Sequence, residues 1–178
     1  MADNKNKFMN EAGKGGLILA SVVIAYMLIG GLLGKIQNGG FALSLLKFIL
    51  WGGKLFLCIW LMFRLMRKEA GRNGGDRSKT FRFGVMLALL SAVVVAGFNL
   101  FYVTVIAPDT FKQAFDTMAQ AYSGILPSDQ LDAMMNMESS MPTISFFANL
   151  VWCFLFGTIV SSIASNQICG PKNPFDEE

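Results

Sequence analysis

Residues 41–63 read FALSLLKFILWGGKLFLCIWLMF, and residues 64–83 continue RLMRKEAGRNGGDRSKTFRF. The first stretch holds only two charges, Lys47 and Lys54. A span needs about 20 mainly apolar residues to cross roughly 30 Å of hydrocarbon, so this stretch is long enough. The second stretch turns abruptly basic, with Arg64, Arg67, Lys68, Arg72, Arg77, Lys79 and Arg82. An apolar window followed by a dense Lys/Arg block is the pattern of a transmembrane helix delivering its chain to the cytoplasm.

Three more windows of the same kind flank it, at 17–33, 83–106 and 144–165. None alternates polar and apolar residues as barrel strands do. In lipid only helices or closed barrels satisfy their backbones, so the fold class expected is an all-α membrane protein with four transmembrane helices. The whole chain supports this: 53% of its residues are hydrophobic and 15% charged, and the charges other than Lys47 and Lys54 avoid the four windows. Residues 1–170 are expected to form a single membrane domain, followed by a disordered cytoplasmic tail at 171–178.

Charge sets the orientation. The connection between spans one and two carries only Lys35 at its border. That between spans three and four carries only Lys112, against Asp109, Asp116, Asp129, Asp132 and Glu138. Lys5, Lys7 and Lys14 precede span one. Both termini and the basic connection are therefore expected in the cytoplasm. Gly71, Gly74 and Gly75 suggest that this connection is flexible beyond the end of helix two. Phe8 and Met9, among Lys5, Lys7, Glu11 and Lys14, suggest a short interfacial helix before span one. The first window is too long for a secretory h-region and is read as an uncleaved anchor.

The external segment, 108–142, is expected to form an amphipathic helix–turn–helix. Phe111, Phe115, Met118 and Tyr122 recur at helical spacing after Pro108-Asp109, a helix-start signal. Gly124 and Pro127 interrupt, and Ser128-Asp129-Gln130 starts a second helix containing Leu131, Met134, Met135, Glu138 and Met141. Met135-Asn136-Met137 has a spacing that soft Cu(I) accepts, yet no external Cys or His accompanies it. Thioethers at helical spacing serve mostly as adaptable packing, and no metal or cofactor is expected.

Small residues form ridges that let helices approach in lipid: Gly30 and Gly34 in span one, Ala88, Ala92 and Ala96 in span three, Gly157, Ser161 and Ser165 in span four. They imply a compact bundle or an oligomer. The three cysteines, Cys58, Cys153 and Cys169, form no CxxC pattern and read as small hydrophobes. The absence of histidine removes the commonest general base and metal ligand. No nucleophile or acid–base constellation is legible, so no enzyme activity is expected.

The informative polar residues lie inside the spans. Lys47 and Lys54 share one face of span two, with Trp51 between them. A lysine at mid-span costs roughly 2.5–3.5 kcal/mol on insertion scales, and no Asp or Glu occurs in any window. Depth counting puts Tyr26, Lys47, Asn99 and Asn149, one per helix, in a shared outer layer. Tyr26, Lys47, Trp51, Lys54, Asn99 and Asn149 are thus either interhelical hydrogen-bond glue or an outward-facing pocket for an anionic or lipidic ligand. Arg64, Arg67, Lys68 and Arg72 are candidate contacts for cytoplasmic lipid headgroups or a partner. The positive-inside rule accounts for these charges, and no nucleic-acid partner is expected.

Several features together resemble a known family. They are the basic block after span two, Ala-Pro-Asp at 107–109, Ser128-x-Gln130-Leu131, Met141-Pro142, and Phe156-Gly157-Thr158-Ile159-Val160-Ser161-Ser162-Ile163-Ala164. The chain is similar, over nearly its whole length, to the domain-of-unknown-function family numbered 4199. That resemblance implies a small four-span inner-membrane protein of a Bacteroidota-type bacterium, with no established activity. It also implies an association with membrane glycosyltransferases that use polyprenyl phosphate carriers. Family members commonly end in a basic tail, whereas this chain ends in Asp176-Glu177-Glu178 after Lys172.

Two functions follow as expectations. One is a non-enzymatic accessory or scaffold subunit in the inner membrane, docking a partner through its spans and external helices. The partner is a second copy or another membrane protein. The other is a carrier or binder of an anionic lipid of polyprenyl phosphate type, or of a small solute. Against transport stand the lack of an internal repeat and of any intramembrane acid.

Overall fold

In the computed structural model residues 2–34, 40–125 and 127–170 are described. The expected tail, 171–178, and Lys35 lie outside the described residues. Four long helices carry the chain: α1 (Ala2–Gly34), α2 (Gly40–Arg72), α3 (Arg77–Phe101) and α6 (Met141–Ile168). Between α3 and α6 stand α4 (Pro108–Tyr122) and α5 (Ser128–Asn136). No strand occurs among the described residues. All four long helices have the length and composition to cross a membrane, over Asn6–Leu33, Ser44–Arg72, Arg77–Ile106 and Met141–Ile168.

The chain divides into two compact units, Met1–Val94 with Trp152–Glu178, and Val95–Val151. In the first, the core is built where four helical stripes meet. Ala12 and Leu19 come from α1, Met62 and Met66 from α2, Phe83, Leu87 and Ala88 from α3, and Val160 and Ala164 from α6. On α6 the buried positions are Gly157, Val160, Ser161, Ala164 and Ser165, the i, i+3, i+4, i+7, i+8 pattern of a single face. On α1 they are Ala12, Gly15, Gly16, Leu19 and Ala20, with the same periodicity. The core therefore reaches the N-terminal third of α1, whose charges Lys7, Glu11 and Lys14 lie off the packed stripe.

This corrects the expectation of a separate interfacial helix before span one. α1 runs unbroken from Ala2, and Phe8 packs edge-on against Phe83 with ring centroids 5.6 Å apart. A second correction concerns the basic connection. Its residues are helical up to Arg72 and again from Arg77, leaving a tight turn at 73–76 rather than a flexible loop. Gly74 and Gly75 adopt φ of 66° and 77°, a region that favours glycine. The Gly75 N–H closes the end of α2 by donating to the Ala70 carbonyl (2.9 Å). Asp76 then starts α3: its Oδ1 accepts the backbone N–H groups of Ser78 (2.9 Å) and Lys79 (3.2 Å).

Close approach in lipid depends on residues without bulk, and the glycines show where it happens. A Cβ on Gly16 would sit 3.2 Å from the Ser91 amide nitrogen and 3.3 Å from the Leu87 carbonyl oxygen, so α1 lies backbone to backbone on α3. A Cβ on Gly84 would lie 2.6 Å from Ser161 Oγ, and one on Gly157 would fall against Ala88 Cβ. Gly84 and Ala88 thus interdigitate with Gly157 and Ser161, as the ridges on spans three and four imply. Of the expected ridge on span one, Gly30 has open space around it within the chain and the surroundings of Gly34 lie outside what is described; the packed pair on α1 is Gly15-Gly16.

In the second unit α3 ends in a π-helical turn, Tyr102–Ile106, closed by the Ala107 N–H donating to the Tyr102 carbonyl (2.9 Å). Pro108 opens α4, where its missing N–H costs nothing. Phe115 and Ala119 are buried on α4, while Met118 and Tyr122 of the expected stripe are exposed. Side chains of Leu131, Met134, Met135 and Glu138 lie outside the described residues.

Candidate functional site

Lys54 is where the sequence concentrates its cost, and α1 supplies the answer to it. Its Nζ lies 4.5 Å from the centroid of the Tyr26 ring, over the ring face. A cation there is attracted by the ring quadrupole, an interaction worth about 2 kcal/mol when desolvated. That offsets much of the cost of placing a lysine at mid-span. The geometry follows from helix direction. In a symmetric α1–α2 hairpin position 26 stands opposite position 48, six residues or about 9 Å short of Lys54. Side chains lean toward the N-terminus of their own helix. In an antiparallel pair Tyr26 and Lys54 therefore lean toward each other and close that gap.

Cys58 follows Lys54 by one turn of α2, and Cys153 lies on α6; both cysteines are free and half-buried.

The other candidates are distributed differently. Lys47 is exposed on α2, beside an aromatic pair, Phe48 stacked with Trp51 at 6.1 Å between centroids. Trp51 itself is exposed. No Asp or Glu among the described residues forms an ion pair with Lys47 or Lys54. Asn99 and Asn149 belong to the second compact unit, where both are half-buried and neither side chain makes a hydrogen bond among the described residues. Tyr26 belongs to the first unit and meets Lys54 rather than Lys47.

At the basic end of α2 the four candidate residues have separate roles. The Arg64 guanidinium sits over the Trp60 ring, 5.3 Å from its centroid. Arg67 and Lys68 are exposed. Arg72 is a structural residue: it reaches Glu11 of α1 at 3.4 Å and Glu69 at 3.8 Å. Glu69 is almost fully buried and accepts a further hydrogen bond from the Asn73 amide (3.0 Å). This network ties the N-terminal part of α1 to the end of α2. Nearby, Thr80 is fully buried, donating to the Asp76 carbonyl (2.9 Å), with the Cys169 sulfur 3.5 Å from its hydroxyl. Sequence reasoning gave Glu11 no role beyond a charge before span one and did not name Glu69. The Glu69–Arg72 pair lies three residues apart on α2, whereas the Glu11–Arg72 contact is visible only once α1 and α2 are paired.

Among the described residues, Asp76 is the carboxylate outside the spans with a marked electrostatic setting. The backbone N–H and then the ammonium group of Lys79, 3.2 Å from Oδ2, hold its carboxyl below the usual carboxylate range. Its setting is that of a helix cap. No group of three or more His, Cys, Asp or Glu side chains among the described residues is placed to hold a metal ion.

No curated protein and no solved structure matches the chain. A family model described as Protein of unknown function (DUF4199) matches residues 14–166, from within α1 to within α6, with the whole of α2 and α3 between. With that match extending from the packed stripe of α1 to the packed stripe of α6, the chain belongs to the DUF4199 family.

Proposed function

We propose that this protein is a non-enzymatic accessory subunit of a bacterial inner membrane that docks another membrane protein through α2. Both termini and the basic turn face the cytoplasm, and α4 and α5 form an external helix–turn–helix. Orientation rests on the crowding of seven Lys/Arg at positions 64–82.

The observation that carries the docking role is Lys47. It is exposed about 10 Å along α2 from Gly40, on a segment whose Phe41, Phe48 and Ile49 are more than half exposed. Lipid suits those apolar side chains and does not suit an ammonium group, which in membranes faces a partner or water. None of the four windows contains Asp or Glu, so a second copy offers no carboxylate at that depth. The complementary surface belongs to a different protein with an acidic residue in its span, flanked by groups that accept Phe48 and Trp51.

A photo-crosslinking residue at Phe48, in native membranes, tests this. The expected product is an adduct with one other membrane protein, abolished by Lys47→Glu while detergent stability is unchanged. Adducts only with lipid, or only with a second copy, would overturn the assignment.

A second role is supported by Arg67 and Lys68, both exposed beside the Arg64–Trp60 pair. Each such charge adds about 1 kcal/mol of attraction to an anionic leaflet, which suits a binder of anionic lipid of polyprenyl phosphate type. Replacing Arg67 and Lys68 by glutamine is expected to lower the amount of anionic lipid that co-purifies; an unchanged lipid content removes this alternative.

A further inference from the structure

Within the second unit an open groove of about 540 Å³ lies where the third and fourth long helices end and begin. Pockets of some 300–1,000 Å³ are typical of small-molecule sites. Val103 and Thr104 line it from the π-helical turn, and Pro108, Phe111 and Lys112 from one face of α4. Asn136, the last residue of α5, Ser139, just beyond it, and Pro142, in the first turn of α6, complete the lining.

Three features of this groove are independent of one another. The first is charge. Between spans three and four the chain carries five acids and one cation, Lys112, and Lys112 is the one charged side chain among the described residues lining the groove. The second is a division of polarity. Lys112, Asn136 and Ser139 bring donors. The Thr104 hydroxyl spends its own proton on the Leu100 carbonyl (2.8 Å). Val103, Phe111 and the two prolines are apolar. The third is local backbone geometry: a π-helical turn, rare in proteins and frequent at functional sites, forms one wall.

We infer that this groove binds the head of a singly anionic amphiphile, its carboxylate or phosphate on Lys112 and its first methylenes against Phe111, Val103 and Pro142. The position suits such a ligand. Val103 and Thr104 belong to the last turn of the third span and Pro142 to the first turn of the fourth. The groove is therefore at the level where lipid headgroups meet the hydrocarbon. An acidic segment that keeps its sole cation in a cleft repels anions everywhere except there.

The test uses the full chain in phosphatidylcholine nanodiscs, titrated calorimetrically with dodecyl phosphate, dodecyl maltoside and inorganic phosphate. Dodecyl phosphate is expected to bind at least about ten-fold more tightly than either of the others, which lack the charge or the tail. Lys112→Ala is expected to weaken dodecyl phosphate by roughly ten-fold, as loss of a hydrogen bond to a charged group does. Asn136→Asp, which adds a repelling charge to an exposed position, weakens it comparably. Lys112→Arg retains it, and Arg82→Ala, exposed on α3 and outside the groove, leaves it unchanged. Equal affinity for inorganic phosphate, equal affinity for dodecyl maltoside, or binding indifferent to Lys112→Ala would each overturn the assignment. Lys47→Leu leaves this binding unaltered, so the groove and the docking face stand or fall separately.

Discussion

Gly157→Ala adds one methyl group to the contact between α3 and α6. The new Cβ falls against Ala88 Cβ, an atom fixed to its own backbone, so relief requires the helices themselves to shift. Such overpacking typically costs about 1–3 kcal/mol. Separation would also loosen Val160, Ser161 and Ala164, all buried on the same face. Against this stands the gain of about 0.5–1 kcal/mol from replacing glycine by alanine inside a helix. Gly30→Ala isolates that gain, since nothing lies within 4 Å of its added Cβ. Gly30→Ala should therefore stabilise slightly, Gly157→Ala should destabilise, and the two should differ by roughly 1–3 kcal/mol, the clash alone. Steric trapping or equilibrium unfolding in mixed micelles measures both on one scale. Equal effects of the same sign would refute the close approach of α3 to α6.

Other consequences follow from the same contacts. Lys54→Met relieves a mid-span charge costing roughly 2.5–3.5 kcal/mol while giving up the ring contact. Membrane insertion is expected to improve, and Tyr26→Leu is expected to destabilise wild type but have little effect in the Lys54→Met background, as a double-mutant cycle would report. Phe8→Ala, although outside the first apolar window, should cost about 1–3 kcal/mol through lost packing on Phe83; an effect within measurement error would return residues 2–13 to the membrane surface. Asp76 has a lowered folded pKa, so on acidification the unfolded chain takes up that proton first. Its contribution is intact above the ordinary carboxylate pKa and lost as pH falls through the lowered value. Asp76→Asn should flatten the stability profile in that acidic window and leave its shape near neutrality unchanged.

The number of membrane-spanning helices was legible because hydropathy over 20 residues is a sum that single side chains barely alter. Where the helices touch was not. Window reading starts span one at Leu17, since Lys5, Lys7, Glu11 and Lys14 depress the average. The packed stripe of Ala12, Gly15, Gly16 and Leu19 runs through those charges on another face of the same helix. Gly30 and Gly34 fit the small-residue pattern as well as Ala12, Gly16 and Ala20 do, and a one-helix pattern does not know which face meets a neighbour. The ridges on spans three and four were readable because Ala88 and Gly157 each recur with small residues at i+4 on both partners. Depth counting aligned Tyr26 with Lys47, since it ignores the tilt of side chains along the helix; that tilt brings Tyr26 to Lys54. The groove around Lys112 draws on four elements separated by up to 39 positions, Val103 to Pro142, and only the lone cation hinted at it.

All of this depends on four membrane crossings with the basic turn inside. In a chain with Cys58, Cys153 and Cys169 replaced by serine or alanine, a single cysteine at Ile125 or Gly75 can be probed with a membrane-impermeant maleimide on intact cells. Ile125 is highly exposed in the turn after α4 and Gly75 lies in the α2–α3 turn. The account predicts labelling at 125 in intact cells and at 75 only after permeabilisation; labelling at 75 with protection at 125 would contradict it.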